Sequence, residues 1–162
     1  MSVKIPLFSC SESKVPWHCL VWFPQAIPRQ SFMVWLTFKE RLSTGVRMRD
    51  WGIEQGCVYY GERNEDRDHL LFACPHTFTL YTITTLLQSA RNRLDTILLR
   101  LVFQTSIYVQ WKERRHGSAF VSVDMTTRAI GKLVKNHISS LKYMGNHKPE
   151  GLLRRWFEVY PF

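Results

Sequence analysis

From Arg29 onward the apolar side chains return at helical spacing, with Phe32, Trp35, Leu36 and Leu42 falling on one stripe. Ile27 precedes Pro28 and is driven to extended backbone, so this helix is predicted to begin after Pro28, around Arg29, with Gly45 as its stop. Thr44 can cap a short second helix through Trp51, with Val46, Met48 and Trp51 on its inner side. The rhythm then changes. In GIEQGCVYYGE, glycines flank a short β-prone CVYY, and the pattern predicts a tight β-hairpin or knuckle. In NEDRDHLLFAC, Asn64 or Asp66 can cap a short helix that carries His69, and acidic residues suit its positive end.

After Pro75 the periodicity is helical almost to the end. Segments 76–89, 91–115 and 124–143 each keep it, with breaks near Ala90 and at Gly117. In the last, Ile130, Leu133, Val134, Ile138 and Leu141 share a stripe, while Arg128, Lys132, Lys135 and Lys142 mostly lie off it. The final GLLRRWFEVYPF is basic and aromatic, and its pattern fits both a docked and a free segment. These elements predict a mostly α protein with a short β-hairpin, zinc-knuckle-like segment and a basic helical C-terminal region. The expected divisions are a loose N-terminal segment (1–16), a helical unit with the knuckle (17–76), a basic helical extension packed on it (77–143) and a basic, aromatic tail (144–162).

Composition agrees with a folded chain: 162 residues, 45% hydrophobic and 14% aromatic, are enough for one domain with a sizeable core. Charge adds an asymmetry. Residues 1–75 hold nine Lys/Arg against eight Asp/Glu, whereas residues 76–162 hold thirteen against five. A net charge of +9 with nearly all of its surplus gathered in one half is a footing for polyanions, nucleic acid before membrane, with a plain solvated face as the alternative. No apolar run approaches membrane-spanning length, and the four-residue IPLF near the start is too short for a secretory signal. The expectation is an intracellular, non-secreted protein, with the nucleus open to it.

In such a compartment thiols stay reduced, and Cys/His clusters point to metal rather than disulfides. Cys57, His69 and Cys74 are zinc ligands at plausible spacing. Three residues after Cys57, where a Cys-x2-Cys start would place its second thiol, stands Tyr60. A phenol must lose its proton near pH ~10 to ligate, so Tyr60 is a poor fourth corner. His76, Glu62, a water, Cys10 or Cys19 could substitute, and His76 is the best of these by ligand type. Zinc is therefore expected to be held weakly or not at all.

A three-ligand site also suggests metal-assisted hydrolysis, which needs a general base. Glu65, Asp66 and Asp68 are near in sequence, but a helix start explains them. No glycine-rich phosphate loop and no nucleophile elbow appear. The chain is expected not to be an enzyme, with no small-molecule substrate and no membrane partner. Arg114 and Arg115 close a helix, where cations suit the dipole. Lys132, Lys135 and Lys142 have no such local role and are the first candidates for phosphate contacts. Arg154 and Arg155 beside Trp156 resemble the pairing of charge and ring used on single strands.

The run LVWFPQAIPRQSFMVWLTFKERLSTGVRMRDWGI, followed by Cys57 and then HLLFACP, resembles the zinc-binding domain downstream of the polymerase in plant LINE-type (non-LTR) retrotransposon reverse transcriptases. The likeness covers roughly residues 17–76, and a looser one continues through YVQWKERRHG. It implies a structural zinc on a Cys-x2-Cys, His-x4-Cys pattern, with Tyr60 replacing one ligand. It also implies packing roles for Trp22, Trp35 and Trp51, and a domain that helps a polymerase hold nucleic acid. The residues contain no paired aspartates of a polymerase site. The function expected is thus a non-enzymatic nucleic-acid-binding module of low specificity for RNA or DNA. The alternative is a metal-free structural or protein-interaction scaffold, or a retroelement relic without selected activity.

Overall fold

The computed structural model describes residues 15, 17–74, 93–115, 122–143 and 150–160. Within them lie α1 (His18–Val21), α2 (Pro28–Phe38), α3 (Gly45–Asp50), a π-type turn α4 (His69–Ala73), α5 (Arg93–Arg115), α6 (Val123–Tyr143) and α7 (Glu150–Val159). The protein is mostly α. Among the described residues there is no strand, so the expected β-hairpin is replaced by a turn without a ladder. Helices predicted over 76–89 and the loose 1–16 segment fall largely outside the described residues.

α5 is the central post, packed by α2 on one side and by α6 and α7 on the other. Leu98, Leu101, Val102 and Val109 of α5 meet Ile130, Val134 and Ile138 of α6 and Leu152 and Trp156 of α7 in one apolar cluster. The α6 stripe is buried as its period predicts, except that Leu133 is partly exposed at its margin. The C-terminal segment docks. Leu152 and Trp156, four apart, face inward, and Tyr160 stacks on Trp156 at 4.8 Å. Tyr160 then lies over Gly131 of α6, where an added Cβ would come within 2.8 Å of its ring. Its hydroxyl donates to the Thr127 carbonyl at 3.1 Å.

The second cluster joins Val21, Val34, Leu42, Leu70 and Leu71 to Ile107 and Trp111 of α5. Here α2 departs from its expected face. Pro28 does occupy the first turn after an extended Ile27, but the helix ends at Phe38, before Leu42. Its buried residues are Gln30, Ser31, Val34 and Thr37, while Phe32 is exposed and stacked on Trp35. The inward face is polar because α5 presents polar partners. Thr105 Oγ1 donates to Gln30 Oε1 at 2.9 Å, and Ser31 Oγ donates to Gln104 Oε1 at 3.4 Å. Gln104 Nε2 also donates to the Leu20 and Val21 carbonyls at 2.7 and 2.9 Å, closing the end of α1. Every buried group there finds a partner, which a buried amide requires.

Two further expectations change. Gly45 begins α3 instead of ending α2, and a Cβ there would overlap the Gln55 carbonyl oxygen. The turn between the helices is made by Glu40, whose φ of 53° is left-handed. Trp51 is 61% exposed and Trp22 45% exposed, so neither is a core residue. Trp51 instead lies under the Arg47 guanidinium at 5.5 Å.

Candidate metal centre

Cys57 sits at the head of a closed turn. Its N–H donates to the Glu62 carbonyl at 2.8 Å, and the Gly61 N–H donates back to the Cys57 carbonyl at 2.7 Å. Gly61 takes φ of 71°, which lets the chain reverse in so few residues. The reversal brings a thiol to a fixed place without needing strands.

His69 and Cys74 come from the other arm. Asp66 Oδ1 accepts the His69 N–H at 2.6 Å, which caps the segment as its acidic start predicts. The Cys74 N–H then reaches the His69 carbonyl at 2.8 Å across five residues. An α-turn at 3.6 residues would leave such residues about 140° apart around the axis. The wider π-turn carries Cys74 back toward the face of His69.

The ligand atoms of Cys57, His69 and Cys74 all lie within 4.8 Å of one another. The two Sγ atoms are 3.8 Å apart, and both thiols are buried. Sulfurs held tetrahedrally at ~2.3 Å from a zinc ion stand about 3.8 Å apart, so the spacing fits. His69 Nε2 is buried and has no hydrogen-bond partner. A buried imidazole nitrogen rarely goes without one, and a metal would satisfy it. Burial, followed by the neighbouring Cys74, pushes the Cys57 thiol up to about 11, against the pull of backbone N–H groups of Tyr59 and Tyr60. The residues present therefore fit zinc as a three-donor set.

Tyr60 is 66% exposed and turned to solvent. Its neighbour Tyr59 is the inward one, donating to Glu113 Oε2 at 3.3 Å and the Gln110 carbonyl at 3.4 Å. Cys57 and Cys74 are free thiols as expected, whereas Cys19 is disulfide-bonded and offers no thiolate to the clip. His76 lies outside the described residues.

The clip is fastened to α5 by a pair that sequence reasoning misassigned. Glu65 is fully buried, and its Oε1 accepts from Arg114 Nε at 2.6 Å and from the Gly45 N–H at 3.3 Å. Arg114 was expected to serve the negative end of the helix dipole; it is instead buried, and its guanidinium lies 5.2 Å from the Trp111 ring centroid. Only the looser likeness around Trp111–Arg114 signalled that this stretch belongs with the clip. Glu65 is accordingly an anchor joining the clip to α3 and α5.

The nucleic-acid candidates divide. Lys132 and Lys135 are exposed on α6. Arg154 is exposed on α7 and pairs with Glu158 at 3.4 Å. Arg155 instead holds Asp95 through Nε–Oδ1 at 2.6 Å and Nη2–Oδ2 at 3.3 Å. Trp156 is 4% exposed, so its ring is core and not a platform for bases. The side chain of Lys142 lies outside the described residues. Phe157, the neighbour of Trp156, is the exposed ring, at 47%.

The sequence model of a family described as zinc-binding in reverse transcriptase matches residues 6–80. That stretch contains all three donors, so this segment is similar to a reverse-transcriptase zinc-binding domain and zinc is the cofactor it implies. No curated protein and no solved structure matches the chain. Among the described residues, no helix is long and apolar enough to cross a membrane.

Proposed function

We propose that the chain is a non-enzymatic nucleic-acid-binding module derived from the reverse transcriptase of a LINE-type retrotransposon of the plant kind. The observation that carries this is the family match over residues 6–80 together with the convergence of Cys57, His69 and Cys74 inside it. In this reading residues 17–76 are the zinc-binding-like unit and 77–143 the basic extension that adds affinity. Zinc, when bound, fixes the turn of Cys57 to α4. The role is structural, with Asp66 engaged in capping and Glu65 in anchoring.

Filter binding with single-stranded RNA and DNA at two salt concentrations tests it. Affinity that falls steeply with salt is expected, since each neutralised phosphate releases counterions. No retention at low salt rejects the reading. A protein-interaction scaffold is the second reading, favoured by the exposed Trp22, Phe32 and Trp51. It expects salt-insensitive association with protein and none with nucleic acid.

A further inference from the structure

Lys132 and Lys135 are three residues apart on α6, hence neighbours on its outer face. Neither has a carboxylate within 4.0 Å among the described residues, while the acids nearby are engaged: Asp124 by Arg128, and Glu158 by Arg154 and Arg155. The Lys135 ammonium lies 5.2 Å from the centroid of the Phe157 ring, so the patch crosses from α6 to α7. Phe157 is 47% exposed although it stands beside the buried Trp156. Arg154, three residues earlier on α7, is 87% exposed at its side chain. The Lys135 cation thus sits against an exposed ring, with Lys132 one turn away on α6 and Arg154 one turn away on α7.

We infer that this face docks a single-stranded nucleic acid, with one base stacked on Phe157 and flanking phosphates on Lys132, Lys135 and Arg154. The inference rests on the proposed function for its partner class and adds the face and the strand form. An exposed cation–π contact is weaker than a base–aromatic stack, so a base can replace the ammonium over the ring. The displaced ammonium is then free to meet a phosphate. A duplex hides its base faces within its own stack and could use only the cations.

Fluorescence anisotropy of labelled oligouridylate RNA and of a duplex DNA of equal length, with the full chain, tests the inference. The variants are Phe157→Leu, the pair Lys132→Glu with Lys135→Glu, and Arg41→Glu as a charge control on the exposed loop after α2. Phe157→Leu is expected to lower single-strand affinity about tenfold and to leave duplex binding unchanged. The lysine pair is expected to weaken both ligands and to flatten the single-strand salt slope by about 1.4. Wild-type binding that all the variants share equally would overturn this face while leaving the nucleic-acid function standing. Failure of the wild type to bind either ligand at low salt overturns both. Equal losses from Arg41→Glu, or displacement of the RNA by polyglutamate at equal charge, would show unspecific charge attraction and sink the role of the ring.

Discussion

Glu65 and Arg114 form an ion pair sealed from water, linking the metal clip to the C-terminal end of α5 over 49 residues of sequence. One carboxylate oxygen receives both the guanidinium and the first N–H of α3, so three elements meet at one atom. Arg114 Nη2 lies within ion-pair reach of the same oxygen but outside hydrogen-bond alignment. Two charges brought out of water must hold each other, and breaking the pair on one side leaves the other stranded.

Glu65→Gln or Arg114→Met alone is therefore expected to destabilise the fold by about 3–5 kcal/mol. Replacing both by apolar residues of similar volume is expected to recover most of that loss. Urea denaturation of the single and double variants closes the cycle, and additive losses would contradict coupling between the two sites.

Restoring the fourth corner should strengthen the metal site. Four-ligand zinc sites gain about 10–16 kcal/mol, on the order of 3 kcal/mol per ligand, or about a hundredfold in affinity. Tyr60→Cys is expected to raise zinc affinity by that order and to raise the melting temperature in zinc. Competition with a chromogenic chelator measures the first, and calorimetry the second.

Removing Cys57 tests the opposite limit. Cys57→Ser is expected to abolish measurable zinc uptake while far-UV circular dichroism keeps its helical form, because the α5–α6–α7 cluster contains none of the donors. Collapse of the whole spectrum would mean that the clip supports the distant core.

The buried amide of Gln104 holds α1 and α2 on α5 through three hydrogen bonds. Gln104→Leu removes the donor and leaves the Leu20 and Val21 carbonyls buried without it. A loss of about 2–4 kcal/mol is expected from denaturant midpoints, since each unsatisfied buried group costs about 1–3 kcal/mol.

Alkaline stability should report on Tyr160. Burial first, and Asp124 second, raise its phenol above the ordinary value of 10.0. A raised folded-state value favours the neutral form, so this contribution is present below pH ~10 and is lost as pH rises above it. Tyr160→Phe is expected to flatten the fall in stability between pH 9 and 11, roughly, at a cost of about 1 kcal/mol for the bond to Thr127. Gly131→Ala adds a test of packing. Helix propensity favours alanine by about 1 kcal/mol, but the clash with the Tyr160 ring opposes it by about 1–3 kcal/mol. The substitution should destabilise the wild type and stabilise a Tyr160→Ala background.

Much of this was legible one residue at a time. The start of α2 followed from the fixed φ of Pro28, and the cap on His69 from the short carboxylate of Asp66. The inward face of α6 followed from a strong apolar period that only a helix can align. The likeness to a reverse-transcriptase segment rested on a string of residues whose order is itself the signal, and the family match covers the same stretch.

The rest depended on partners far along the chain. α2 buries Gln30 and Ser31 because Thr105 and Gln104 wait for them, and no local rule marks a polar face as inward. Trp156 is core and Phe157 exposed because α7 lies on α5 and α6 with one rotation about its axis, which adjacent aromatics do not specify. Arg114 is an anchor because Glu65 is brought to it. Composition and periodicity determined the helices, the basic half and the three donors; tertiary packing decided which polar and aromatic side chains face inward, because burial of such groups is set by the partners that satisfy them.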